Sequence, residues 1–73
     1  MNTKMFGKVK WFKENKGYGY IVGYDEETYY FELSNLINDI DNLKSGDEVK
    51  FIPNMFTGIP YADEIELCDD KEK

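Results

Sequence analysis

The sequence predicts an all-β domain, a small five-stranded antiparallel barrel. Three observations predict it. Five short runs are rich in β-branched and aromatic residues, and several alternate polar with apolar positions. Polar, glycine-bearing stretches punctuate these runs at close intervals. At 73 residues the chain is too short to fill two packed sheets, and curling one sheet shut removes its exposed edges.

The first strand is expected over residues 8–12, where Lys8, Val9, Lys10, Trp11 and Phe12 alternate for most of their length. A polar turn follows at 13–17. The second strand covers 18–22 and ends at 23–27, where Asp25, Glu26 and Glu27 read as a solvated turn. The third strand covers 28–33. Residues 34–46 are mostly polar; Ser34 is placed to cap one short helical turn, with Leu36, Ile37 and Ile40 at suitable spacing. The fourth strand covers 48–52. Pro53 is expected to end it or mark an edge, since proline cannot donate to a ladder. A loop over 54–60, hinged at Gly58, leads to a fifth strand over 61–67. Ala62, Ile65 and Leu67 are its candidate core positions, and their uneven spacing implies a bulge or a short strand. Val9, Ile21, Phe31, Val49 and Phe51 join Ile65 as core candidates, with Phe12 partly buried. The chain reads as one domain over 1–68 and a charged, disordered tail over 69–73. A Greek-key barrel of OB type is the economical arrangement, and an SH3-like barrel is the other small option.

Composition narrows the chemistry. There is no histidine, which excludes a Ser-His-Asp triad, a Cys-His pair and a His-containing zinc site. The one cysteine, Cys68, excludes a disulfide within the chain. Asp63, Glu64, Glu66, Asp69 and Asp70 lack the loop spacing of a calcium hand, so no metal and no cofactor is expected. Apolar runs fall far short of the roughly 20 residues that span a bilayer, and the first residues carry no apolar signal core. With a single thiol, these features fit a cytoplasmic protein. Net charge is −6, yet residues 1–20 carry five lysines and one glutamate, whereas residues 21–73 carry four lysines and fourteen acids. A local basic patch, and not the total, is the electrostatic footprint of a nucleic-acid binder. There is no arginine, so guanidinium readout of base edges is absent.

Lys16-Gly17-Tyr18-Gly19-Tyr20-Ile21 is the informative segment. Tyr18 and Tyr20 share one face of a strand, and Gly17 and Gly19 leave the other face bare. Lys8, Lys10, Lys13 and Lys16 surround the pair in sequence. Rings interleaved with lysines suit a single-strand platform: bases stack at roughly 1–3 kcal/mol each, and cations follow the phosphates.

Gly7-Lys8-Val9-Lys10-Trp11-Phe12, followed by Lys16-Gly17-Tyr18-Gly19-Tyr20-Ile21, strongly resembles the bacterial cold-shock protein family. The resemblance spans about residues 5–67 and takes in Leu43-Lys44-Ser45-Gly46, Val49, Phe51, Gly58, Pro60 and Ala62. It implies an OB-type cold-shock domain that binds single-stranded RNA or DNA as an RNA chaperone, without catalysis. Residue by residue, Lys10 and Lys16 match lysines near the nucleic-acid backbone, and Trp11 matches the exposed stacking tryptophan. Tyr18 and Tyr20 match the aromatics of the first ribonucleoprotein-type motif, and Tyr30 matches the stacking phenylalanine of the second. Glu32 stands where the family has histidine, and Leu33 where it has phenylalanine. Ile40 roughly replaces a later loop aromatic, Lys13 replaces an asparagine, and Phe56 is an unaligned aromatic able to supply a lost stacking contact.

The expected interface is therefore Lys8, Lys10, Trp11, Lys13, Lys16, Tyr18, Tyr20, Tyr30, Glu32 and Phe56. Its expected partner is single-stranded, pyrimidine-rich RNA or DNA, bound by a monomer. Glu32 either repels phosphate or accepts hydrogen bonds from base amino groups. A barrel turned to a protein partner is the alternative, motivated by Glu32, Leu33 and the acidic remainder. An enzyme has nothing to build on, with no nucleophile and base at readable spacing.

Overall fold

The structure is a computed structural model that describes residues 3–37 and 43–68. Five strands, β1 (Met5–Lys13), β2 (Tyr18–Gly23), β3 (Thr28–Glu32), β4 (Glu48–Phe56) and β5 (Ile59–Leu67), carry it, with one 3-10 turn over Leu33–Asn35. They close into a barrel in the order β1-β2-β3-β5-β4. All neighbours are antiparallel except β3 and β5, which run parallel. This is the OB-type barrel that the sequence predicts, not the SH3-like one.

The barrel is filled by Val9, Ile21, Tyr29, Phe31, Leu43, Val49, Phe51, Ala62 and Ile65, all buried. Seven of the eight core candidates, Ala62 included, are among them, and Phe12 packs on this core from its edge. Leu67 is instead 41% exposed. Tyr29 was not expected inside; its hydroxyl donates to Asp25 Oδ2 at 2.7 Å, which satisfies the phenol at the core's rim. Asp25 Oδ1 accepts the Glu27 N–H at 3.0 Å. The acidic turn is thus a structural clasp as well as a solvated bend.

Two bulges set the phase of the strands. In β1, Val9 pairs with Ile21 but Trp11 pairs with Tyr20, so Lys10 is the extra residue. In β5, Lys50 pairs with Glu66 and Ile52 with Asp63, which leaves one residue over on β5. Glu64 there has a positive φ of 48°, and Ala62 and Ile65, three apart, both reach the core. The uneven spacing of the fifth strand is this bulge.

Of the two roles open to Pro53 the structure shows the edge, and the expectations for the 54–60 loop and for Ser34 are corrected. Pro53 does not end β4; it pairs with Ala62, and the strand runs on to Phe56. The β4 ladder to β1 stops at Phe51, so beyond it β4 has a free edge where a missing N–H costs little. The expected loop over 54–60 is largely a hairpin. Its turn is Thr57-Gly58, with φ of 47° and 83°, between the paired Phe56 and Ile59. Ser34 does not cap a helix either. It lies inside the 3-10 turn, whose N-cap is Glu32. Ile40 and the tail over 69–73 lie outside the described residues.

Candidate nucleic-acid interface

Register across the sheet assembles the outer face rung by rung, because directly opposed residues share a face. One rung joins Trp11, Tyr20, Tyr30 and Tyr61 across β1, β2, β3 and β5. The next joins Lys13, Tyr18 and Glu32, and the one on the other side joins Lys8, Val22 and Thr28. The β1 bulge makes this possible. Strict alternation after Val9 would turn Trp11 inward; the extra residue puts Trp11 outside and Phe12 against the Phe31 ring, 5.5 Å between centroids. The bulge is held from the adjoining loop, where the Ser45 hydroxyl donates to the Lys10 carbonyl at 2.9 Å and the Gly46 N–H donates to that of Val9 at 2.8 Å.

Gly19 explains how the rings lie side by side. It is buried, and a Cβ there would strike the Trp11 carbonyl, come within 2.9 Å of Phe12 Cα and within 3.0 Å of the Phe31 ring. Only glycine lets β2 approach β1 this closely. The result is a continuous aromatic patch. Trp11 is 5.6 Å from Tyr18 and 5.1 Å from Tyr20, both edge-to-face. Tyr30 is 6.0 Å from Tyr18 and 5.7 Å from Tyr20. Such tilted contacts are favourable and keep ring faces open to a ligand.

Charge is graded across the face. Lys8, Lys10, Lys13 and Lys16 are all exposed on β1 and the turn after it. Lys13 Nζ lies 5.5 Å from the centre of the Trp11 ring, within cation–π range. That turn is tight: the Lys16 and Gly17 N–H groups both donate to the Lys13 carbonyl, and Gly17 has a φ of 79°. On the β3–β5 side the charge is negative. Glu32 Oε2 accepts the Tyr30 hydroxyl at 2.8 Å, and this bond is the main reason the phenol is held above its ordinary value. The Glu32 N–H donates to Asn35 Oδ1 at 2.9 Å, and the Glu32 carboxylate faces the Asn35 backbone N–H in return. Asn35 Nδ2 continues to Asp63 Oδ1 at 3.3 Å.

Beyond Tyr30 the face opens into a groove of about 370 Å³, lined by Tyr30, Glu32, Ser34, Asn35, Phe56, Ile59 and Tyr61. Phe56 is 68% exposed there, on the end of β4 and not in a free loop. Lys8, Trp11, Lys13, Tyr18, Tyr20, Tyr30 and Glu32 therefore share the outer face by register, Phe56 lies at its margin, and Lys10 and Lys16 are exposed on the bulge and the turn after β1. Sequence reasoning missed Tyr61 and Ile59, which reach it through the parallel β3–β5 pairing and the hairpin. It also missed an outlying pair, Phe6 and Tyr24, with rings 6.1 Å apart. Leu33 is 53% exposed beside Gly17, aliphatic where the resemblance calls for a ring. Among the described residues no group of three His, Cys, Asp or Glu side chains is placed to hold a metal, and no helix is long and apolar enough to cross a membrane.

Residues 5–67 match the family described as the "Cold-shock" DNA-binding domain. The chain belongs to the cold-shock domain family. Its relatives include cold shock protein CapB of Pseudomonas syringae pv. tomato, 28% identical over 68 residues, covering 92% of this chain and 99% of CapB. Cold shock protein CspV of Vibrio cholerae is 34% identical over 67 residues, covering 89% of this chain and 96% of CspV. Cold shock-like protein CspI of Escherichia coli is 40% identical over 53 residues, covering 70% and 76%. Among solved structures, the Drosophila Unr fragment CSD456 superposes with a TM-score of 0.79 at 16% identity. It covers 99% of this chain, which spans 29% of that longer one, and it bears on the fold alone. The cold-shock domain is a nucleic-acid-binding family.

Proposed function

We propose that this cold-shock domain binds single-stranded RNA or DNA and acts as an RNA chaperone. Unpaired bases stack on Trp11, Tyr18, Tyr20 and Tyr30, while Lys8, Lys10, Lys13 and Lys16 hold phosphates along the β1 side. The observation that carries this reading is the continuous patch of four rings, each against two others, with Lys13 over its tryptophan. Flat rings bind any base face, and lysines at the margin add affinity that falls with salt. Such a surface takes open strands and not paired ones. Binding therefore draws hairpins towards the unpaired state by mass action, with no bond made or broken and no cofactor. The preferred ligand is pyrimidine-rich, and the working form is a cytoplasmic monomer.

Trp11 is the only tryptophan, so its fluorescence reports the patch directly. Titration with single-stranded pyrimidine oligomers of about 6–8 nucleotides, a length within the range of one OB fold, is expected to quench it. Raising the salt is expected to weaken that quenching. No quenching at high micromolar strand would refute the proposal. It would also favour the second reading, a protein-binding barrel, which the acidic β3–β5 side and the exposed Met55, Phe56 and Ile59 of the hairpin motivate.

A further inference from the structure

Tyr30 is the seam between two surfaces. On one side lies the ring patch; on the other lies the groove formed by Glu32, Asn35, Phe56, Ile59 and Tyr61. A carboxylate in a strand-binding face has to be explained, because it repels phosphate and accepts hydrogen bonds only. Glu32 is not neutralised by a neighbour: the one ion pair among the described residues joins Lys4 to Glu66. Its opposed neighbour on β2 is Tyr18, and Lys13 stands two strands away, about 10 Å at the usual strand spacing.

The carboxylate is nevertheless held in place. The Tyr30 hydroxyl fixes one oxygen at 2.8 Å, and the 3-10 turn presents the Asn35 N–H. A carboxylate offers about four acceptor positions, so about two stay open. These open positions sit on a groove whose remaining wall is mostly ring and aliphatic carbon. We propose that the groove is a guanine-reading subsite, with a base seated against Tyr61 and Phe56 and its Watson–Crick edge turned to Glu32. Guanine alone among the bases carries two adjacent donors on that edge, N1–H and N2–H, and they match two acceptors side by side. Adenine and cytosine each set one amino donor beside a ring-nitrogen acceptor. Uracil and thymine flank one N–H with two carbonyls, which a carboxylate repels. The preferred ligand becomes a pyrimidine-rich strand with one guanine at the position that reaches the groove. This subsite rests on the proposed single-strand binding, with which it is continuous through Tyr30.

The test uses thymidine heptamers carrying one guanine, adenine or cytosine at each position in turn, read by Trp11 fluorescence and by calorimetry. At one position guanine is expected to tighten binding about tenfold or more over thymine, the yield of a good bidentate contact. Glu32→Gln is expected to erase that preference, so that in this variant the guanine-bearing heptamer binds no tighter than the all-thymidine one. Phe56→Ala is expected to lower affinity most for strands with guanine at that position. Equal affinity for all heptamers would overturn the subsite and leave the single-strand reading standing. So would a guanine preference that survives Glu32→Gln. Failure of every heptamer to bind would overturn both. Sedimentation showing a dimer that Phe56→Ala dissociates would assign the groove to a second copy and also overturn the subsite.

Discussion

Gly19 determines where the aromatic face lies. Its missing Cβ lets β2 pack on the Trp11 carbonyl and the Phe12 backbone, so Tyr18 and Tyr20 stand beside Trp11. Gly19→Ala drives a methyl group into backbone that has no rotamer to yield. Overpacking of this kind costs about 1–3 kcal/mol, and the loss is expected in the midpoint of urea unfolding. Tyr18→Ala acts in the opposite way. Tyr18 is half-exposed and outside the core, so its loss leaves stability nearly unchanged but weakens oligonucleotide binding by about 1–3 kcal/mol. Unaltered affinity in that variant would remove Tyr18 from the interface. The need for glycine between two aromatics was legible in the sequence. The role of Tyr61 was not, because its neighbour Tyr30 lies on a parallel strand far away in the chain, and no local pattern marks that pairing.

At the scale of the element, the irregular strands carry the function. The β1 bulge turns Trp11 outward, and the β5 bulge brings Ala62 and Ile65 inward together. The second was legible, since apolar residues three apart break strand alternation. The first was hidden, because Lys8 to Phe12 reads as near-regular and Trp11 is plausible on either face. The β4–β5 hairpin was misjudged for a physical reason. Pro53 is a strand breaker only where its N–H is needed, and Thr57-Gly58 is a weaker turn signal than Asn-Gly. Gly58 has a φ of 83° with open space around it, so Gly58→Ala meets backbone strain and no clash. The expected cost is about 1–2 kcal/mol by denaturant unfolding, the usual penalty of the left-handed conformation. Trp11 quenching by a short thymidine strand is expected to persist, since the ring patch lies on other strands.

The whole molecule joins a basic margin to an acidic body, and both pH and salt address that division. Burial, seconded by the bond to Asp25, pushes the Tyr29 phenol up from 10.0 to about 12. A value raised on folding gives stability that is complete below pH 10 and lost as pH climbs through about 12. The hydrogen bond from Tyr29 holds the Asp25 carboxyl below its ordinary 3.8, and that share is lost as pH falls through the lowered value. Tyr29→Phe is therefore expected to flatten both limbs of the stability profile, read by thermal unfolding from pH 2 to 12. The charge split itself was legible by counting along the chain, but its layout was not. Folding places the lysines of β1 on one side of the ring patch and Glu32 and Asp63 on the other.

That layout lets a chain of net charge −6 bind a polyanion. At 0.1 M ionic strength, charges more than about 10 Å from a phosphate are largely screened, so the near lysines outweigh the distant acids. Each phosphate neutralised on a single strand adds about −0.7 to the slope of log affinity against log salt. Engagement of Lys8, Lys10, Lys13 and Lys16 together gives a slope of about −3. Lys13→Gln is expected to make it shallower by about 0.7. Lys4→Gln is expected to leave it unchanged, because Lys4 is already paired with Glu66 at 2.7 Å. A slope near zero with affinity retained would mean that the rings bind bases without the lysines holding phosphate. The basic margin would then serve only to steer the strand to the face.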